Sequence, residues 1–462
     1  MKKKIISGVG LFISLYISVS FNSGCAQIGS PTGGVRDTLS PVLIKSTPAV
    51  KSLNFSGNKI TLSFDEYVTL LEPQNNILVS PLPKNNPVIT NSLKTVSIKL
   101  KDSLLPNTTY SIQFGNAIRD INESNILTNF TYVFSTGKTI DSMMLKGKVL
   151  LAETGLADSS ISVILYKNSN DTAVQKLKPD YLAKLKGDGS FTFSYLPAGI
   201  FKIYALKDGD GSKNYNSKTE LFAFQNDAIN INEETANLTM YAFSEEKPKD
   251  DKVAKVLKPA LEKKLRYNSN ITGAQDLLSK FELSFNNPLK LIDTNKLILT
   301  DTNFNKIKGS QVSIDSTRKL LTYSPVWIPG AAYRLIISPD AIEDSAGNKP
   351  LKTDTLAFIA RMTTDYGRVV LRFKNYNQSK NPVLQFISSD VVKYSFPLNG
   401  AEWVNNRMLP AEYQIRILFD DNKDGMWTSG NYNKKIQPEK VVSLLKKISI
   451  RADWDNENDI EL

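Results

Sequence analysis

From residue 37 onward, apolar and polar positions alternate with a period of two. Val96, Ile98 and Leu100 alternate with Ser97, Lys99 and Lys101, and Tyr110, Ile112 and Phe114 alternate with Ser111 and Gln113. The same period returns at Ile161-Val163-Leu165, Phe191-Phe193-Tyr195, Phe201-Ile203-Ala205, Tyr413-Ile415-Ile417 and Ile448-Ile450-Ala452-Trp454. Runs of this kind, separated by clusters of Asn, Asp, Gly and Pro, predict antiparallel strands with one face buried. A helical period of 3.6 is almost absent. The pattern therefore predicts an all-β chain built of tandem β-sandwich modules.

Landmarks along the chain recur in one order. Leu62-Ser63-Phe64-Asp65-Glu66 corresponds to Leu283-Ser284-Phe285-Asn286-Asn287, and Ile77-Leu78-Val79-Ser80 to Leu297-Ile298-Leu299-Thr300. Leu105-Pro106-Asn107-Thr108-Thr109-Tyr110 corresponds to Ile328-Pro329-Gly330-Ala331-Ala332-Tyr333, and each is followed by an Ala-Ile-x-Asp turn, at Ala117 to Asp120 and at Ala341 to Asp344. This set resembles the bacterial Ig-like domain first recognised in S-layer proteins, the later copy ending in Gly347-Asn348.

A second kind of module follows each of these. Gly187-Asp188-Gly189-Ser190-Phe191 and Leu196-Pro197-Ala198-Gly199 lead into Phe201 and, seven residues on, Asp208; Leu409-Pro410-Ala411 leads into Tyr413 and, at the same interval, Asp420. The first copy resembles the transthyretin-like, carboxypeptidase-regulatory type of sandwich, with a Gly-rich turn reversing a hairpin and alternating aromatics filling the core. The second copy lacks the Asp-Gly-Ser turn and rests on the repeat. The expected layout is Ig-like over 37–140, transthyretin-like over 143–243, a mixed-charge linker over 244–256, Ig-like over 257–362 and transthyretin-like over 363–462.

The N-terminus is of another character. Lys2 to Lys4 precede an apolar stretch from Ile5 to Phe21, then Ser23, Gly24 and the chain's only cysteine, Cys25. A basic start, an apolar stretch short for a membrane span and small residues read as a signal peptide over 1–24. The cysteine directly after it resembles the bacterial lipobox, which implies cleavage before Cys25 and diacylglycerol on its thiol. Asn22 stands where that pattern has leucine, and a plain secretory signal is the alternative. Residues 25–36, rich in Gly, Ser, Pro and Thr, read as a flexible tether. The whole chain resembles Bacteroidota-type outer-membrane lipoproteins with Ig-like domains, which implies a lipid-anchored outer-membrane protein. The lack of acidic residues just after Cys25 favours the periplasmic face over the cell surface.

Composition narrows the chemistry. The 462 residues contain no histidine, which removes Ser-His-Asp and Cys-His catalysis and His-based zinc sites, and one cysteine allows no internal disulfide. The formal charge is +11, but basic residues are mixed with acidic ones, as between Glu245 and Arg266, where eight Lys or Arg meet five Asp or Glu. That run reads as a solvated connection, and no nucleic-acid partner is expected, because binding patches concentrate one sign. No Walker loop, GxSxG or HExxH occurs. Asp65 and Glu66 are adjacent, and neighbouring strand residues point to opposite faces, so they form no acid/base pair.

The sharpest local motif runs from Asp420 to Trp427. Asp420, Asn422, Asp424 and Gly425 fit the DxNxDG start of a calcium loop, with the carbonyl of Met426 as a further ligand, but position 12 is Asn431 and a remote ligand would be needed. Asp208, Asp210 and Ser212 occupy the corresponding place in the earlier module as a weaker candidate. The bland reading of both is an Asx-rich loop leaving a sheet. Trp427, with Trp403 and Trp454, is either a stacking surface for sugar or a cover for a sandwich core. Two functional expectations stay open: a non-catalytic, lipid-anchored scaffold for other envelope proteins, requiring no cofactor, and a glycan or cell-surface binder assisted by calcium. An enzyme is not expected.

Overall fold

The computed structural model describes residues 36–167, 170–233, 237–247, 264–309 and 311–461. The signal segment, Cys25 and the tether up to residue 35 lie outside the described residues, as do positions 248–256 of the linker. The chain is all-β, with helix confined among the described residues to single turns such as Pro73–Asn76 and Ala173–Lys176. It divides into two compact units, one ending at Ile140 and one beginning at Asp141.

The first unit holds β1 (Leu43–Thr47), β2 (Lys59–Phe64), β3 (Val68–Leu70), β4 (Leu78–Ser80), β5 (Val88–Ser92), β6 (Thr95–Lys99), β7 (Thr109–Gly115), β8 (Ile118–Asp120) and β9 (Phe130–Ser135). They form sheets in the orders β1-β2-β6-β5, β3-β8 and β4-β7-β9. Ile60, Leu62, Val96, Ile98, Ile112 and Phe114 point into one core, as the alternation requires.

The motifs that recur in sequence have structural jobs. The Tyr110 hydroxyl accepts the backbone N–H of Leu105 at 2.8 Å, which fixes the turn entering β7. The buried Asp120 accepts N–H groups of Glu123, Ser124 and Asn125 at 2.6 to 2.8 Å and so shapes the loop after β8.

The second unit opens with β10 (Met143–Leu151), β11 (Ser162–Tyr166), β12 (Tyr181–Lys184), β13 (Ser190–Leu196), β14 (Gly199–Leu206), β15 (Phe222–Phe224), β16 (Ile229–Ile231) and β17 (Leu238–Ala242). One sheet runs β13-β10-β17, the other β12-β11-β14-β15, with β16 also on β14. The last strand, β17, joins the first, β10, in parallel.

Next come β18 (Tyr267–Ser269), β19 (Phe281–Phe285), β20 (Leu289–Ile292), β21 (Leu297–Thr300), β22 (Val312–Ile314), β23 (Leu320–Tyr323), β24 (Ala332–Ile337), β25 (Ile342–Asp344) and β26 (Asp354–Ile359). Their orders, β18-β19-β23-β22, β20-β25 and β21-β24-β26, repeat those of β1 to β9 strand for strand. Tyr333 accepts from Ile328 N–H at 2.9 Å, and buried Asp344 accepts from Ala346 and Asn348, so the repeated motifs do the same work.

The chain closes with β27 (Gly367–Lys374), β28 (Pro382–Ser388), β29 (Val391–Pro397), β30 (Glu402–Met408), β31 (Ala411–Phe419), β32 (Lys440–Ile450) and β33 (Asp455–Glu461). The orders are β30-β27-β33 and β29-β28-β31-β32, and β33 again joins β27 in parallel. Even the register shifts coincide, falling between Met143 and Leu145 in β10 and between Gly367 and Val369 in β27. We call the four sandwiches modules 1 to 4 in chain order.

In the second unit, sequence order misleads about contact. Modules 2 and 4, separated by module 3 in the chain, dock directly: the Val441 N–H donates to the Ala152 carbonyl at 3.1 Å. A Cβ on Gly155 would meet the Val441 carbonyl at 2.6 Å, so the close approach needs glycine. Glu245, expected in a solvated connection, is half-buried and bonded to both modules.

Candidate functional site

The two Asx-rich loops leave the ends of β14 and β31, where alternation stops and short polar side chains replace strand pairing with local side chain to backbone bonds. In the later loop, Asp420 is only 3% exposed. Its two oxygens accept the N–H groups of Asp424 (3.2 Å) and Gly425 (2.8 Å). Gly425 sits at φ 77°, the left-handed conformation the turn demands. The Asn422 amide oxygen also accepts from Asp424, and Asp424 accepts from Met426 N–H at 2.7 Å.

A residue the sequence reading missed completes this loop. Glu439, immediately before β32 and 5% exposed, accepts the N–H groups of Asp421 (2.9 Å) and Asn422 (3.3 Å) with one oxygen and that of Thr428 (2.8 Å) with the other. It is the remote carboxylate, but its oxygens face backbone N–H groups. Nothing in the spacing marks it, because the partner is reached across the sheet end.

Trp427 is half-buried; its ring packs on Val383, Leu418 and Val441, and its indole N–H donates to the Glu439 carbonyl at 2.8 Å. Trp403 packs with Phe386 and Phe396 at ring separations of 5.2 and 5.0 Å. Trp454 is 60% exposed, with the Arg451 guanidinium 5.4 Å from its ring.

The braced loop runs straight into a clasp. Residues 428–437 reach from module 4 to module 2, and Tyr432 is 3% exposed among Tyr204, Tyr215, Phe222 and Phe224, with ring separations of 5.1 to 6.0 Å. The Tyr432 hydroxyl donates to the Asp171 carbonyl at 2.7 Å. Burial, and then the hydroxyl of Tyr204, push its pKa far above the usual phenol range, so it stays a neutral donor.

Polar contacts ring this aromatic plug. Ser429 donates to the Ser244 carbonyl at 2.6 Å, the Asn431 amide and the Tyr432 N–H donate to Glu245, and Gln437 donates to the Phe224 carbonyl at 3.1 Å. The Lys435 ammonium lies 3.0 Å from Asp171 and 4.0 Å from the Tyr432 ring centre. A Cβ on Gly430 would meet the Phe243 ring at 2.7 Å.

The earlier loop is arranged differently. Asp208, Asp210 and Glu220 each bring a carboxylate oxygen within 4.8 Å of the other two. Asp210 accepts from the Asn216 amide (2.7 Å) and Ser212 N–H (2.8 Å), which hold its carboxyl well below the usual range. Glu220 accepts long bonds from Gly209, Asn216 and Ser217. One oxygen of Asp208 is buried without a hydrogen-bond partner, the other accepting from Lys213 N–H at 3.1 Å.

The hydroxyl of Ser212 turns away to Asn214 and Asn216. Glu220, twelve residues after Asp208 and one beyond the closing position of a calcium loop, which here is Thr219, was the missed member. These three carboxylates could together hold a hard cation, and one Asp208 oxygen is still unpartnered, whereas in the later loop the buried carboxylates of Asp420 and Glu439 are turned to backbone N–H groups and not to one another.

Comparison with known proteins bears on module 1. Residues 37–136 match the family model of a bacterial Ig-like domain. No curated protein matches the chain. Solved structures that overlap it include BcpA, the major pilin subunit of Bacillus cereus (10% identity, 70% of this chain and 99% of that one, TM-score 0.18). The Bacillus anthracis TIE protein (11%, 93% and 76%, TM-score 0.17) and the N-terminal part of the bacterial S-layer protein SbsC (13%, 44% of each chain, TM-score 0.16) are others. Scores this low bear on neither fold nor function. What the match establishes is that residues 37–136 form a bacterial Ig-like domain, and strand orders show module 3 to share its topology.

Proposed function

We propose that the protein is a non-catalytic scaffold of the cell envelope, held to the outer membrane by lipid on Cys25 and presenting tandem sandwiches, Ig-like and transthyretin-like, to other envelope proteins. The observation that carries this reading is the clasp. Buried Tyr432, half-buried Glu245 and the Lys435–Asp171 ion pair are all engaged in holding module 2 on module 4. Among the described residues no helix is long and apolar enough to cross a membrane.

The test is affinity capture of the tagged protein from its own cells, with and without a calcium chelator, followed by mass spectrometry. A constant set of outer-membrane proteins, indifferent to chelation, supports the scaffold, and recovery of the bait alone sinks it. Labelling with an alkyne fatty acid, lost in Cys25→Ser, checks the anchor. The second reading, a calcium-assisted glycan binder, draws support from Asp208, Asp210 and Glu220, and predicts retained polysaccharide that chelation releases.

A further inference from the structure

Modules 2 and 4 share their strand order but differ at one edge. In module 2, Phe222 of β15 and Phe243, just beyond β17, exchange both backbone hydrogen bonds at 2.8 and 2.9 Å, which ties the two sheets together at that end. In module 4 no such bridge joins β32 to β33 among the described residues, and the outer edge of β33 has no strand beside it. A cleft of about 210 Å³ opens there, walled by Ile415, Leu444, Ile448 and Ile460 and bordered by Asn458, Asp459 and Glu461.

The register shows a matching change in sequence. Gly147 faces Leu238 in module 2 and the corresponding Leu371 faces Asn458 in module 4, so a core leucine is replaced by an amide lining the cleft. The outward positions of β33 are Asp455, Glu457, Asp459 and Glu461, all exposed, in a chain that is basic as a whole. Arg368 and Arg372 answer Asp455, Glu457 and Asp459 in part, with Arg372 also shared by Glu402, and Glu461 has no ion pair among the described residues.

We propose that the free edge of β33 is a docking site for an extended segment of a partner protein in which apolar residues alternate with lysine or arginine. An unpaired edge offers main-chain donors and acceptors to an added strand, and pockets for alternate side chains give such pairing its specificity. A cavity of roughly 150 Å³ already accepts a benzene-sized apolar group, so the cleft takes one branched or aromatic side chain. The basic residues of the added strand alternate with those entering the cleft and fall beside the acidic row, of which Asp459 and Glu461 also border the cleft. The sheet end that module 2 ties with the Phe222–Phe243 bridge is left open in module 4. This deepens the scaffold reading by naming where a partner attaches.

The experiment titrates the full chain into a fluorescein-labelled nine-residue peptide of alternating isoleucine and lysine, read by anisotropy at physiological salt. Saturable binding is expected, weakened at least tenfold by N-methylation of alternate peptide amides, by Asp459→Lys and by Asn458→Trp. Both variants alter half-buried or exposed positions, and circular dichroism matching the parent confirms their fold. In the unmodified chain, the peptide should slow hydrogen exchange of β33 amides. Absence of saturable binding, equal binding of a serine/lysine peptide, or indifference to N-methylation overturns the proposal. Since the probe is synthetic, failure here leaves the capture experiment an independent test of the scaffold.

Discussion

The loops after β14 and β31 begin alike, with Asp or Asn at alternate positions and a glycine turn, yet they end as different devices. After β31 the carboxylates of Asp420 and Glu439 are buried, and their oxygens are taken by N–H groups of the loop itself. After β14 the carboxylates of Asp208, Asp210 and Glu220 converge on one another, without an ion pair among the described residues. A second carboxylate decides the outcome: Glu439 enters from beneath the backbone, whereas Glu220 returns along the same loop. Glu439 is buried and holds its N–H groups at 2.8 to 3.3 Å, which makes that loop a brace, whereas Glu220 accepts only long bonds of 3.3 to 3.4 Å and lies beside two other acids, which makes the earlier loop a candidate cation site.

The brace can be broken most severely at its far end. Tyr432→Ala removes the plug from the aromatic pocket and should cost about 3–5 kcal/mol, read from the urea midpoint of the second unit's transition. An unchanged midpoint would mean that modules 2 and 4 hold together without the clasp. Glu439→Gln keeps the volume but turns a donor toward loop N–H groups; the expected loss is about 2 kcal/mol. The contrasting change, Glu220→Gln, should stay within about 0.5 kcal/mol in chelator. Equal losses at the two glutamates would erase the distinction between the loops.

Calcium gives a smaller signal of opposite preference. Millimolar calcium should raise the melting midpoint by about 2 °C, and Asp210→Asn should abolish the rise while Asp424→Asn leaves it. Acid sharpens the same contrast. The folded carboxyl of Asp210 is held below its ordinary 3.8 by Asn216 and Ser212, so its contribution is present above that value and disappears as pH falls through the folded pKa. Asp210→Asn should therefore remove part of the acid dependence that the parent's melting midpoint shows below pH 3.8, and identical midpoints for parent and variant across that range would show that this carboxylate contributes nothing.

Much of the fold was legible from the chain. Alternation at Tyr110-Ile112-Phe114 and Tyr413-Ile415-Ile417 predicted strands that bury those residues, and the Ala-Ile-x-Asp repeat predicted two equivalent loops that the structure holds by buried Asp120 and Asp344. The loops were legible as Asx-rich turns, but their ranking was not. Sequence spacing favoured Asp420, Asn422 and Asp424, while the gathered carboxylates are those of the earlier loop. Spacing within a loop says which atoms are near in the chain, and the partners that decided each case, Glu439 and Glu220, come from beyond the motif.

The sequence by itself determined the strand content, the pairwise repetition of modules and the exclusion of histidine chemistry, because these follow from side-chain period and composition. Only the tertiary structure decided that module 2 grips module 4 across an intervening module, since Tyr432 and its pocket lie more than two hundred residues apart. It alone decided that Trp427 covers a small apolar cluster and that Glu245 joins two modules. Local pattern is written residue by residue, whereas docking depends on which faces remain uncovered after each sandwich has closed its core.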